Sequence, residues 1–292
     1  MILLNLFNKI QQYNCCIHEN YIIINNIKWC YLDNKIKNDN RQIIIFFHGF
    51  QGNKNLSYYP LIKQLNNKYR ILIPDLIEHG NTKVIQNKYN FNYSINNQLI
   101  YLYNFINTII PNTYFNLIGT SMGGLFVSLY NIKYPLYVKK IILMNTCGIY
   151  NKNNILLKIY KDTGKLLLFP NNIYEFNILI TLLLYKKSLF FNDYILSQLL
   201  KENIKQREIY IQIFKFIILN NLNILDHYLP LINKPITFIW GYNDQITSIH
   251  TLLKIKDNLK YKPNINIINK CNHIPHYEYP ELCSNIIKNT IN

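Results

Sequence analysis

Three short segments carry residues whose types suit nucleophilic acyl transfer. Gly119-Thr120-Ser121-Met122-Gly123-Gly124 places a serine between small residues. Asp244 lies in Gly241-Tyr242-Asn243-Asp244-Gln245-Ile246, and His273 in Cys271-Asn272-His273-Ile274-Pro275-His276. A serine hydroxyl is a weak nucleophile until a base takes its proton. A histidine serves as that base, and a carboxylate fixes its tautomer and steadies its cation. Each residue is unremarkable alone: an Asp in such a turn is usually a turn former, and a loop His is usually surface. His276, three residues on, competes with His273 for the role. The order Ser121, Asp244, His273 is that of one triad class and differs from the His-Asp-Ser and Asp-His-Ser orders.

These residues need a frame that presents each just past a strand. Gln42–Phe47, Arg70–Pro74, Phe115–Ile118, Lys140–Met144, Ile236–Trp240 and Ile265–Ile268 are apolar runs. Continuous rather than alternating apolarity suits strands buried on both faces of a parallel sheet. The first run leads to His48-Gly49, the third to Gly119, the fifth to Gly241 and the sixth to the loop holding His273. Helix-length stretches (Leu56–Asn66, Ser94–Ile110, Met122–Tyr134, Ile249–Leu259 and Pro280–Ile291) lie between or after them. Strand–helix alternation of this kind predicts an α/β fold with a mostly parallel sheet. Tyr21–Ile24 and Ile27–Leu32, joined by Asn25-Asn26, read as a hairpin ahead of it.

From 148 to 232 no strand is legible. The stretches Ile173–Tyr185, Asp193–Glu202 and Arg207–Leu219 are helical in pattern. The expected organisation is a core of residues 1–147 and 233–292 with a helical cap of 148–232 inserted. The apolar runs Ile178–Tyr185 and Ile209–Leu219 either line an acyl pocket or pack the cap onto the core.

Strand, Gly-x-Ser-x-Gly and helix in succession form the sharp turn that exposes a nucleophilic serine, with a helix N-terminus favouring negative charge beneath it. Backbone N–H groups of Phe50 and Met122 are then the expected oxyanion donors.

With these pieces assembled, the chain resembles the α/β-hydrolases from about Tyr21 to Ile291. The resemblance rests on HGF (His48–Phe50), PDLIEHGNT (Pro74–Thr82), GTSMGG (Gly119–Gly124), WGYNDQI (Trp240–Ile246) and NHIPHYEYP (Asn272–Pro280). The family pattern around the base has a Glu five and a Pro seven residues after the His. Glu278 and Pro280 stand at those offsets from His273, which selects it over His276. Two departures are Asn272 where the family has Gly, and Leu76-Ile77-Glu78-His79-Gly80 where it has Pro-Gly-His-Gly. Among its branches the chain looks most like monoacylglycerol-lipase-like enzymes with a helical cap. The resemblance implies an ester hydrolase working through an acyl-enzyme, with a small-molecule acyl ester as substrate and neither metal nor organic cofactor. Two other enzyme readings share the triad: a methyl-ester esterase on acyl chains held by an acidic carrier protein, and a carbon–carbon bond hydrolase. A receptor role on the same fold is a further, non-enzymatic reading.

Composition narrows the partners. The 292 residues carry 31 Lys+Arg and 15 Asp+Glu, a net charge of +16. The lysines are scattered and no RNA-binding signature occurs, so nucleic acid is not expected. Asn, Ile, Lys and Tyr have AT-rich codons, and codon drift accounts for the basicity as readily as a partner does. The six cysteines lack metal-binding spacing, and reduced thiols in the cytoplasm are the default. Met1–Ile10 is apolar but shorter than the about 20 residues a spanning helix needs. The branch's membrane-bound members carry a spanning helix that this chain is expected to lack. The segment packs on the domain or acts as an interfacial anchor, which leaves peripheral membrane contact open.

Overall fold

A computed structural model describes residues 2–152, 154–186 and 192–292. Met1 and five of the residues within the expected cap, 187–191, lie outside it, as does Asn153. The helices are α1 (Ile2–Asn14), α2 (Lys54–Leu65), α3 (Ile95–Ile109), α4 (Met122–Lys133), α5 (Ile155–Thr163), α6 (Ile173–Leu183), α7 (Asp193–Lys205), α8 (Arg207–Ile213), α9 (Ile224–Tyr228), α10 (Ile249–Ile255), α11 (Pro275–Glu278) and α12 (Pro280–Ile291). The strands are β1 (His18–Ile24), β2 (Ile27–Asp33), β3 (Ile43–Phe47), β4 (Arg70–Pro74), β5 (Lys83–Val84), β6 (Phe115–Thr120), β7 (Val138–Met144), β8 (Ile236–Gly241) and β9 (Asn264–Ile268).

The sheet runs β1-β2-β4-β3-β6-β7-β8-β9, with the short β5 paired to β2. β1, β2 and β4 pair antiparallel, and every pair from β4 through β9 is parallel. The hairpin turns through Asn25 and Asn26, both at positive φ (50° and 64°), as a tight two-residue β-turn requires. Successive residues of β3 go to opposite faces. Ile43, Ile45 and Phe47 join the core under α3 and α4, while Ile44 and Phe46 join the core under α2 and α12. Both faces are thus covered, which is why the strands read as unbroken apolar runs.

Between β7 and β8 the described residues form helices and turns, with no strand among them. The stretch expected to be helical from Arg207 to Leu219 is helical throughout, with α8 passing at Phe214 into a π-helical turn over Phe214–Ile218. Of the elements that were not legible in advance, α9 and α11 are single short turns, and two others have a clear reason. α5 has a strongly split apolar face but lies in an Asn- and Lys-rich stretch, and β5 is only two residues long.

One buried charge cluster fixes the loop ahead of α2. Lys54 Nζ contacts Asp75 Oδ2 at 3.0 Å and Glu19 Oε2 at 2.8 Å, while the Lys54 and Asn81 amides donate to Asp75 at 2.6 and 2.8 Å. The Lys54 and Asp75 side chains are only 1% and 0% exposed. Burial alone would pull the Lys54 ammonium down, but Asp75, Cys30 and Glu19 outweigh it and hold it above its ordinary value. Losing Asp75 would leave Lys54 with Glu19 alone and strip the Lys54 and Asn81 amides of their acceptor, and breaking a buried ion pair from one side is strongly destabilising. Asp75→Ala is therefore expected to lower unfolding free energy by about 3–5 kcal/mol, read as a shifted midpoint in urea denaturation.

Candidate active site

Ser121 sits between β6 and α4 at φ 54°, ψ −117°, a conformation that side chains rarely adopt. Its amide donates to Met144 O at 2.9 Å, and its carbonyl accepts from Gly124, Leu125 and Cys147 at 3.0–3.2 Å. The turn needs small neighbours. A Cβ on Gly123 would stand 1.9 Å from Phe47 O, and one on Gly119 would stand 2.3 Å from Gly123 O. Helix α4 therefore starts almost in contact with the end of β3. Met122 N–H lies in its first turn, where backbone donors have no partner within the helix.

The loop after β3 is held by His48. Its Nδ1 lies 2.8 Å from Gly49 O and its Nε2 accepts from Leu76 N–H at 3.0 Å. These contacts define a neutral ring with the proton on Nδ1. Burial, the largest influence, pushes its pKa down, consistent with that neutral form. Gly49 O also accepts from Gly52 N–H at 3.0 Å. In a trans peptide, C=O and N–H point opposite ways. With Gly49 O turned to His48 and Gly52, the Phe50 N–H of the same peptide points away from them. A Cβ on Gly49 would lie 3.4 Å from Ser121 Cβ, so this peptide borders the serine. The sequence assigned no task to the His48 side chain, and a buried imidazole serving two backbone groups carries no local sequence signal.

Asp244 follows β8 and is buried. Its Oδ1 accepts from Ile246 and Thr247 N–H at 2.8 and 3.1 Å. Its Oδ2 accepts from Thr247 Oγ1 at 2.6 Å, from Asn145 Nδ2, and from His273 Nδ1 at 2.8 Å. Burial opposes the carboxylate, but the His273 contact and the Thr247 and Asn145 bonds overcome it and hold the acid below its usual range. Asn145 and Thr247 were missed from sequence. Asn145 directly follows β7, at φ 42°, and also accepts from Gly241 N–H at 3.2 Å. A residue directly after a neighbouring parallel strand was the signal available.

His273 is held by its backbone as well. Its N–H donates to Leu183 O at 3.1 Å, and Asn272 Nδ2 donates to Thr181 O at 2.8 Å. Glu278 accepts from Asn272 N–H at 2.9 Å and from Tyr185 N–H at 2.8 Å. The C-terminal end of α6 is thereby bound to the histidine loop. Among the described hydrogen bonds none joins Ser121 to His273; the two residues share the wall of one cavity.

His276 lies elsewhere. It is buried with its Nδ1 3.4 Å from Thr120 Oγ1 and its ring 4.8 Å from that of Tyr58. Tyr58 OH donates to Phe47 O at 2.8 Å and stands 3.1 Å from Thr120 Oγ1. This group braces the strand ends that carry Ser121 and the His48 loop. Burial, and secondarily the nearby His273, push the His276 pKa down to about 3.

Ser121, His273, Gly49 and Phe50 line a cavity of about 480 Å³. Leu167, Phe176, Leu179, Ile180 and Leu183 give it an apolar wall on the α5–α6 side. No cluster of three or more His, Cys, Asp or Glu side chains able to hold a metal occurs among the described residues.

A parallel sheet with an antiparallel start, a strained serine turn after β6 and a carboxylate–histidine pair after β8 and β9 are the marks of one fold class. The family model described as alpha/beta hydrolase fold matches residues 42–280. The chain belongs to that family. A monoacylglycerol lipase of Xenopus laevis is 24% identical over 269 residues, covering 89% of this chain and 78% of the relative. Lipase 3 of Moraxella sp. strain TA144 is 24% identical over 248 residues, 83% of this chain and 75% of that one. A solved membrane phospholipase A, described as a bacterial virulence factor, superposes with TM-score 0.89 at 20% identity over 99% of this chain and 90% of its own.

The buried histidine gives a pH signature. His276 binds a proton near pH 6.5 when unfolded but only near 3 when folded. Between these values the unfolded chain holds the extra proton, so stability falls as pH falls. The slope from His276 is about 1.4 kcal/mol per pH unit. His276→Gln is expected to flatten the pH 6-to-4 stability curve by that amount, measured by urea titrations at stepped pH.

Proposed function

We propose that the protein is a carboxylic-ester hydrolase of the lipase/esterase type, acting on acyl esters of medium or long chain. The observation that carries this reading is a His273 held by Asp244 at 2.8 Å and standing with Ser121 in the wall of a largely apolar cavity. The lipase relatives favour an ester over other substrates of the fold.

In this reading Ser121 Oγ attacks the ester carbonyl carbon while His273 Nε2 takes its proton. Asp244, charged and saturated with donors, steadies the imidazolium. The carbonyl oxygen becomes an oxyanion held by the N–H groups of Phe50 and Met122. The C–O bond to the alcohol breaks as His273 returns the proton to the leaving oxygen. Water, deprotonated by His273, then attacks the acyl-Ser121 ester and releases the acid. The catalytic residues are thus Ser121, Asp244 and His273, and every step runs on side chains and amides of this chain. Residues 148–232 act as a cap over the site, with the α5–α6 side of the cavity receiving the acyl chain.

The test is turnover of p-nitrophenyl esters of graded chain length and of a monoacylglycerol. Wild type is expected to favour medium or long chains. Ser121→Ala is expected to lose about 10⁴–10⁶-fold in kcat. A folded wild type that turns over no ester and fails to react with a fluorophosphonate would overturn the reading. Turnover of a carrier-bound methyl ester or a carbon–carbon substrate alone would replace it.

A further inference from the structure

Helix α1 is oriented against its composition. Its inward positions include Asn8, Gln11 and Gln12 beside the partly buried Leu4 and Phe7. Gln12 Nε2 donates to Asn55 Oδ1 at 3.2 Å, and Tyr59 OH donates to Asn8 O at 3.2 Å. Its outward positions carry Leu6, Ile10 and Tyr13, which are 52%, 49% and 85% exposed. Spaced i, i+4 and i+7, these three form one stripe. A helix that had only to pack on α2 would turn such a stripe inward.

Position and charge say what the stripe meets. Leu4, Asn5 and Asn8 line the same cavity as Ser121, and Asn5 is exposed, so the cavity reaches the surface beside the stripe. The helix contains no acidic residue, and Lys9 stands exposed within the outward face. Lys63 is close enough to act on the Cys15 thiol just past the helix end, and the whole chain carries +16. No helix among the described residues is long and apolar enough to cross a membrane.

We propose that α1 is an interfacial anchor. It lays Leu6, Ile10 and Tyr13 into the headgroup–acyl boundary of a bilayer containing anionic lipid, with the cavity mouth beside that surface. Leucine and isoleucine take the shallow apolar layer, and tyrosine takes the headgroup level. Lys9 and the basic chain supply the attraction to anionic lipid. A second copy of the chain is a poorer occupant, because a two-fold contact through this stripe brings the two Lys9 side chains together. The delivery of an acyl ester from the bilayer rests on the hydrolase reading above; the binding itself does not.

Binding is measured by co-sedimentation of the full chain in the Ser121→Ala form, which leaves vesicles intact. Vesicles of phosphatidylcholine with phosphatidylglycerol are compared with phosphatidylcholine alone. The expected result is binding to the anionic vesicles, weakened by high salt, with affinity reduced about tenfold or more when Leu6, Ile10 and Tyr13 are all changed to Ser. The same triple change in the Ser121-containing protein is expected to leave turnover of a water-soluble short-chain ester unchanged. The proposal is overturned if the protein stays in the supernatant with both vesicle types, if the triple variant binds equally, or if light scattering shows a dimer that the triple change dissolves. Vesicle binding without ester turnover would support the anchor while removing the hydrolase reading.

Discussion

The site depends on one close approach of two backbones. Gly123, in the first turn of α4, lies so near Phe47 O that a single methyl group would collide with it. This contact pins the start of α4 against the end of β3. Three consequences follow. Ser121 is forced into its strained turn, Met122 N–H is set at the helix start, and the His48–Phe50 loop emerges directly beside the serine. The strain at Ser121 is local, and the surrounding structure over-determines it. Met144 O, the Gly124 and Leu125 amides and the brace of Tyr58, Thr120 and His276 all restrain the same few residues.

A second constraint is the satisfaction of buried charge. Asp244 accepts five hydrogen bonds, two of them from backbone amides of its own loop. A buried carboxylate left short of donors would take up a proton and release its partner. Asn145 and Thr247 keep Asp244 anionic, which preserves its hold on His273 Nδ1. Lys54, Asp75 and Glu19 solve the same problem in the loop ahead of α2. Both networks reach the cavity wall, one through Lys54 and the other through Thr247 and His273.

The parallel sheet was legible because strands buried on both faces write continuous apolar runs, as Ile43–Phe47 does. The serine turn was legible because a close backbone approach admits only glycine at 119 and 123. Other features left no local trace. Asn145 and Thr247 act through a register between neighbouring strands, and His48 acts through its ring on backbone groups. The π-helical turn at Phe214–Ile218 was hidden because the apolar pattern runs on unchanged through Leu219. The orientation of α1 was also hidden, since Leu6 and Ile10 suit a core as well as a surface. His273 and His276 show both outcomes within four residues: one ring meets the carboxylate, and its neighbour, equally plausible by type, meets a hydroxyl.

The ties between α6 and the histidine loop change how the chain divides into mechanical parts. Thr181 O, Leu183 O and Tyr185 N–H are bonded to the segment that holds His273. A motion that lifted α6 would carry His273 away from Asp244. The insertion is tied to the sheet's loops at a second place as well, where Asn154 Nδ2 and Ile155 N–H at the start of α5 donate to Ile246 O and Gln245 O at 2.8 and 3.3 Å. For exchange of parts between related proteins, the unit that must travel with His273 includes the end of α6. A seam for exchange therefore lies inside the insertion rather than at its ends in the chain, since both the start of α5 and the end of α6 belong with the loops they bind.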